Sequence, residues 1–288
     1  MARLNCVTVL APAKLNLALD VVGLLPGGYH DLDMTMQAIT LYERVVLRRS
    51  PYLNLRLPGS LVAPNNKNTA IKAALAFFDY TGLLAGVDIT IYKNTPVRAG
   101  MAGGSTDAAS TMFGVNRLFG LNLSMGKMME LGVRLGADVP YCVMRGTALA
   151  EGIGEKLTRI TPVPHMWILI AKPQINVSTR LVYEQLDMGG IQKHPDIDGI
   201  IRAIEAQDVV RIAQSMGNVL ENVTVPLYPV IETIKQDMLS HGAINAMMSG
   251  SGPTVFGIFP DEQTTLACQA FLKEKGDARQ VYITENFN

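Results

Sequence analysis

The chain has 288 residues, and Lys+Arg and Asp+Glu both number 25, so its formal charge at pH 7 is zero. That length holds two ordinary domains with separate cores, and the even charge gives no electrostatic pull toward nucleic acid or an anionic membrane. Cys6, Cys142 and Cys268 lie far apart, and His30, His165, His194 and His241 show no ligand spacing, which argues against a disulfide framework or zinc site and for a reducing cytoplasm.

The first residues, MARLNCVTVLAPA, combine a basic start, an apolar stretch and an A-x-A at Ala11 to Ala13. Asn5 and Thr8 interrupt the apolar run, so it predicts a strand rather than a secretory leader, and no segment reaches the length of a membrane span. Strands are expected at CVTVLA, LNLALDVVGLL, MTMQAITLYERVVLRR and YLNLRL, with Gly, Pro and Asn clusters between them. A helix follows from about Asn68 to a stop at Gly82, then a strand, VDITIYK. The loop NTPVRAGMAGG opens a helix near Ser105, where Ala108, Met112, Val115 and Phe119 share a face. Ser124 reads as the N-cap of a further helix ending at Gly136.

In the second half MWILIAK is a buried-type strand, and helical segments occupy about 178–240. AINAMMSG and PTVFGIF are strands joined at Gly250, Ser251 and Gly252; a helix, DEQTTLACQAFLKEKG, and a last strand, RQVYIT, follow. This β, α, β, β, α, β order is that of a ferredoxin-like split βαβ unit. A boundary near Pro162 to Pro164 divides the chain into 1–162 and 163–288.

Pro96, Val97, Arg98, Ala99, Gly100, Met101, Ala102, Gly103, Gly104, Ser105 and Thr106 link a strand to a helix. Small residues allow close backbone approach, and a helix start offers unpaired N–H groups with a positive dipole end, a setting suited to phosphate. The hydroxyls of Ser105 and Thr106 could bond a phosphate oxygen or a Mg²⁺-bound water. No lysine follows as in a Walker A loop, and G-x-G-x-x-G occurs nowhere in the chain, so the cradle is of another kind. The alternative is a tight packing turn with Ser105 as a plain N-cap.

PVRAGMAGGSTDAA resembles the phosphate-loop motif of the GHMP kinases. APAKLNLALDV with GGYHDLDMTMQ is similar to the first motif of the branch that acts on a cytidine diphosphate-linked sugar alcohol. LGADVPYCVMRGTALAEGIGE resembles that branch's catalytic-aspartate segment, and MMSGSGPTVFGIF the third family motif. The four blocks stand in family order and span most of the chain. The resemblance implies an α/β (α+β) two-domain kinase with an N-terminal domain like the second domain of ribosomal protein S5 and a ferredoxin-like C-terminal domain. ATP and Mg²⁺ are the implied cofactors, in isoprenoid precursor synthesis. The implied partner is the small molecule alone, without nucleic acid or membrane, for a cytoplasmic monomer or homodimer.

By the same resemblance, Asp138 accepts the proton of the attacking hydroxyl and Lys14 orients it and offsets developing charge. Lys14 lies in an apolar strand, where an unpaired charge is costly; its alternative is a solvated charge, and that of Asp138 a helix or turn cap. Asn16, Tyr29 and His30 match the substrate side, with Tyr29 stacking on the cytosine ring and His30 bonding its edge. Tyr183 matches a second aromatic, after the polar pair Ser178 and Thr179. Asn68 matches the adenine pocket or is a cap, and Gly250, Ser251 and Gly252 offer backbone N–H groups or only a tight turn. Arg98, Ala99, Met101 and Ala102 depart from the near-continuous glycine run of some members. Mevalonate, homoserine or a sugar as acceptor, a non-catalytic ligand sensor, and an S5-like RNA-binding module are the competing readings.

Overall fold

A computed structural model describes residues 4–288. Of the opening segment expected to be a strand rather than a leader, residues 1–3 lie outside the described residues. The chain forms two compact units that interleave in sequence. The first takes residues up to Ala13, Leu41–Thr95 and Ala102–Arg145; the second takes Lys14–Thr40, Pro96–Met101 and Gly146–Asn288. Two long strands, β1 (Cys6–Leu24) and β2 (His30–Ser50), run from one unit into the other. The sequence predicts two strands where β1 is one. Its run from Ala11 to Val21 is buried without a break, so the strand is packed on both faces and Pro12 does not end it.

In the first unit β2 pairs antiparallel with β4 (Gly86–Tyr92), from Arg44 opposite Tyr92 to Ser50 opposite Gly86. The short β3 (Asn54–Arg56) runs parallel to β4. Four helices complete the unit: α1 (Thr69–Thr81), α2 (Gly103–Phe119), α3 (Met125–Val133) and α4 (Val139–Met144). Asn68 caps α1 by accepting from Ala70 N–H at 2.9 Å, and Gly82 ends it in the left-handed conformation. The small buried side chains Ala70, Ala73 and Ala74 of α1 and Ala108 and Ala109 of α2 let these helices pack closely. At Gly114 an added Cβ would lie 2.2 Å from Leu47 Cδ1, so the absent side chain lets α2 lie flat on β2.

The second unit adds β5 (Thr147–Gly152) antiparallel to the first half of β2, β6 (Lys156–Arg159) beside β5, and β8 (Gly217–Asn218) parallel to β1. Its second sheet contains β7 (Trp167–Pro173), β9 (Asn245–Met248), β10 (Val255–Phe259) and β11 (Ala278–Glu285), in the order β11-β7-β10-β9 with all neighbours antiparallel. Helix α9 (Val230–Ser240) precedes β9, and α10 (Glu262–Lys275) links β10 to β11. The order is that of the split βαβ unit the sequence predicts. Between β7 and α9 lie α5 (Thr179–Glu184), α6 (Ile197–Glu205), α7 (Val209–Gln214) and α8 (Glu221–Leu227). No helix among the described residues is long and apolar enough to cross a membrane.

Three expectations shift. Helix α2 starts at Gly103, two residues before Ser105, and α3 ends at Val133 rather than Gly136. The segment from Val139 to Arg159, with no predicted elements, holds α4, β5 and β6.

Candidate active site

In the first unit α2 has a bare start. Thr106 N–H is the first to bond back along α2, to Ala102 O at 2.9 Å. The amides of Gly103, Gly104 and Ser105 therefore have no acceptor within the helix. Ala102, at the N-cap, makes no side-chain cap, and the first turn contains no acidic residue. Helices ordinarily cover these donors with such groups; here neither covers them, an arrangement able to take an external anion. Thr69 Oγ1 donates to Gly104 O at 2.6 Å and pins the loop to the start of α1. The two hydroxyls expected beside phosphate separate: Thr106 is fully buried and donates to Pro12 O at 2.8 Å, while Ser105 is half-buried. Ser105 is therefore the accessible one, and it lies inside the helix rather than capping it.

Under this helix start lies a buried ionic group that the sequence reading missed. Lys93 Nζ donates to Glu43 and, at 2.7 Å, to Asp107. A Cβ added at Gly103 would sit 3.3 Å from Glu43 Oε1 and 3.6 Å from Lys93 Nζ, so the network lies against the first residue of α2. Burial, followed by Asp107 and opposed by Lys93, pushes the Glu43 carboxyl up to about 9, so it is neutral at physiological pH. Burial pulls Lys93 down, but Asp107 and Glu43 outweigh it and hold the ammonium charged. The available signal is a Glu inside an apolar strand, in LYERVV, and a Lys directly after another, in ITIYK, where charge requires a partner.

Asp138 occupies the N-cap position of α4, with φ −77° and ψ −12°, yet makes no side-chain capping bond. It is half-buried, and the cap does not account for it. Asn68 differs: its side-chain oxygen is committed to the α1 cap, leaving only the amide nitrogen for another partner.

The second unit assembles the residues expected on the acceptor side. Lys14 is only 5% exposed, so it is not a solvated charge. Residues two apart on a strand share a face, and Lys14 Nζ donates to Asn16 Oδ1 at 2.8 Å. Asn16 is fully buried and its amide donates to Met34 Sδ at 3.3 Å, which fixes the oxygen toward the lysine. Lys14 N–H donates to Met101 O at 3.3 Å. Gly100 has φ +70°, and an added Cβ would lie 2.1 Å from Ser249 O, so no larger residue fits there. Asn218 donates to Met248 O and Gly250 O, both at 2.8 Å, and holds the Gly250–Gly252 turn beside this loop. Pro96, Ala99 and Met101 are buried, whereas Val97 and Arg98 are exposed, Arg98 in the left-handed region at φ +52°.

His30 and Tyr183 form a ring pair with centroids 5.0 Å apart and planes 38° apart. Tyr29 is 63% exposed, an aromatic face open to a ligand. Thr179 Oγ1 lies 2.8 Å from Ser251 Oγ, and Ser178 caps α5. Among the described residues no group of three or more His, Cys, Asp or Glu is placed to hold a metal ion.

Comparison with known proteins adds two matches to family models: the GHMP kinases N-terminal domain over residues 68–146 and the GHMP kinases C-terminal domain over residues 200–278. A 4-diphosphocytidyl-2-C-methyl-D-erythritol kinase of Lachnospira eligens is 58% identical over 279 residues, covering 96% of this chain and 97% of that protein. A protein of the same name from Lachnoclostridium phytofermentans is 47% identical, covering 99% and 98%. A crystal structure of 4-(cytidine 5'-diphospho)-2C-methyl-D-erythritol kinase superposes with a TM-score of 0.84 at 26% identity, covering 98% of this chain and all of that one. A homoserine kinase from Cytophaga hutchinsonii has a TM-score of 0.79 at 18% identity and covers 99% and 96%, a likeness of fold.

Proposed function

The chain belongs to the GHMP kinases, and on that premise we propose that it transfers the γ-phosphoryl group of ATP to a hydroxyl of 4-diphosphocytidyl-2-C-methyl-D-erythritol, a step in isoprenoid precursor synthesis. The observation that carries the donor half is the start of α2, without side-chain cap or acidic first turn. The triphosphate is held by the amides of Gly103, Gly104 and Ser105, and the residues from Pro96 to Ala102 belong to the same nucleotide-binding stretch of sequence. The free amide nitrogen of Asn68 reaches the adenine edge. Mg²⁺ arrives with the nucleotide as part of the substrate and neutralises phosphate charge; the Ser105 hydroxyl is the accessible oxygen donor of this loop.

In the transfer, the acceptor oxygen forms a bond to the γ-phosphorus, the bond to the β–γ bridging oxygen breaks, and ADP leaves. Asp138 takes the proton of the attacking hydroxyl. Lys14, pre-oriented by Asn16, supplies fixed positive charge for an oxyanion. Such preorganised charge contributes most of the catalysis in phosphoryl transfer. Tyr29, His30 and Tyr183 hold the cytosine, and Ser178 and Thr179 flank it; a flat base suits the open tyrosine face and the His30–Tyr183 pair.

The matched family models fall one on each side of 162/163, which supports 1–162 and 163–288 as the family's two sequence segments; the compact units of the fold do not follow that division, since residues from Gly146 onward belong with the second. A cytoplasmic monomer or homodimer completes the reading. The test is ATP consumption with Mg²⁺ across 4-diphosphocytidyl-2-C-methyl-D-erythritol, the same alcohol without cytidine, mevalonate and homoserine. Turnover confined to the first is expected; equal use of an acceptor lacking the base rejects the assignment.

A further inference from the structure

The first unit contains a cavity of about 630 Å³ at the end of α2 remote from the phosphate loop. From Gly103 to Arg117 is about 21 Å of helix at 1.5 Å per residue, so this hollow is separate from the nucleotide's cradle. Arg117 and Arg145 line it, no carboxylate does, and Leu10 and Phe113 supply apolar wall. Its volume is that of an ordinary small-molecule site.

Arg145 is the unusual member. It follows α4 with φ 60° and ψ −179°, a backbone region that is essentially glycine's own. An arginine is therefore held where glycine would sit without strain. Nη2 donates to Leu10 O at 3.2 Å and reaches Ser110 Oγ at 3.5 Å, and the guanidinium lies 4.9 Å from the Phe113 ring centre. Its Nε is buried and has no hydrogen-bond partner among the described residues. Burial lowers its pKa, and no carboxylate is among the groups acting on it. The contacts that tie Arg145 to β1 and α2 are all neutral. They occupy some of its five donors but leave a half-buried charge without a counter-ion, which is costly.

We propose that this cavity binds a small organic anion, a phosphate or carboxylate on a compact apolar body, with Arg145 and Arg117 on the charged group and Leu10 and Phe113 against the body. Phenyl phosphate, phenylacetate and inorganic phosphate are suitable probes, titrated calorimetrically against the full chain with and without a non-hydrolysable ATP analogue. Saturable binding of phenyl phosphate or phenylacetate is expected to persist with the analogue present, and the stronger of the two identifies the anionic group. Arg117→Glu, at an exposed position, should weaken it at least about tenfold, the worth of one good ionic contact. Thr8→Trp, on an exposed lining residue, should block the cavity, and Arg145→Met should abolish binding. If Arg145→Met does not fold, the other two variants decide. Absence of saturable binding into the millimolar range, or binding that neither the Arg117 nor the Thr8 variant alters, overturns the proposal.

Discussion

Replacing Glu43 by glutamine keeps the side chain's shape and makes permanent the neutral form that its surroundings impose. Glutamine can accept from Lys93 and donate to Asp107, as the protonated carboxyl does. In the unfolded chain Glu43 loses its proton near 4.5, whereas in the fold burial, followed by Asp107, pushes it up to about 9. Between those values the native state binds one proton more than the unfolded state, so stability falls as pH rises. The slope for one proton is about 1.4 kcal/mol per pH unit. Below pH 4.5 both states are protonated and above about 9 both are ionised, so the slope is confined to that window. From pH 6 to pH 8 the wild type should lose roughly 3 kcal/mol relative to Glu43→Gln, because the variant lacks this proton. Urea unfolding of both proteins at half-unit steps across that range reads the difference directly. Parallel pH profiles, or a variant less stable by the same amount at every pH, would refute the neutral carboxyl.

Asp138→Asn should retain ATP binding while phosphoryl transfer falls by about 10²–10⁴, the usual contribution of a positioned base; single-turnover rates near wild type would reject Asp138 as proton acceptor. Gly100→Ala places a methyl 2.1 Å from Ser249 O at φ +70°, so the urea midpoint should fall by the equivalent of about 2–4 kcal/mol. An unchanged midpoint would mean the loop and the Ser249 turn are not in contact. Tyr183→Ala removes one ring of the His30 pair. It should raise the acceptor's KM about five- to tenfold with kcat little altered, as expected for losing about 1 kcal/mol of stacking.

Local signals in the sequence carried furthest. Helix α1 was legible at both ends because Asn68 and Gly82 act on their own neighbours, by a side-chain cap and a left-handed backbone. The strand and helix order around β9, β10 and α10 was legible from unbroken apolar runs with glycine between them. Lys14 stood out as a charge inside an apolar strand, and its bond to Asn16 follows from a spacing of two. Helix α2 starts two residues before the Ser105 that the sequence predicts, because Ala102 and the glycines after it carry no capping side chain to mark the boundary. Helix α4 escaped because six residues show too little periodicity; burial of Val139, Tyr141 and Val143 holds it. The Glu43–Lys93–Asp107 network was not legible, since its members lie in β2, just after β4 and in α2, and only the fold brings them together.

The interleaving of the two units limits how the chain can be taken apart. Each is composed of three stretches of sequence, and the passages at Ala13/Lys14 and Thr40/Leu41 occur inside strands. Ordinary domain boundaries are exposed linkers that proteases nick first, but Ala13, Lys14 and Leu41 are buried. A single scission therefore frees neither half intact, and a gene fragment encoding one half would have to be stitched from three separate exon-like pieces.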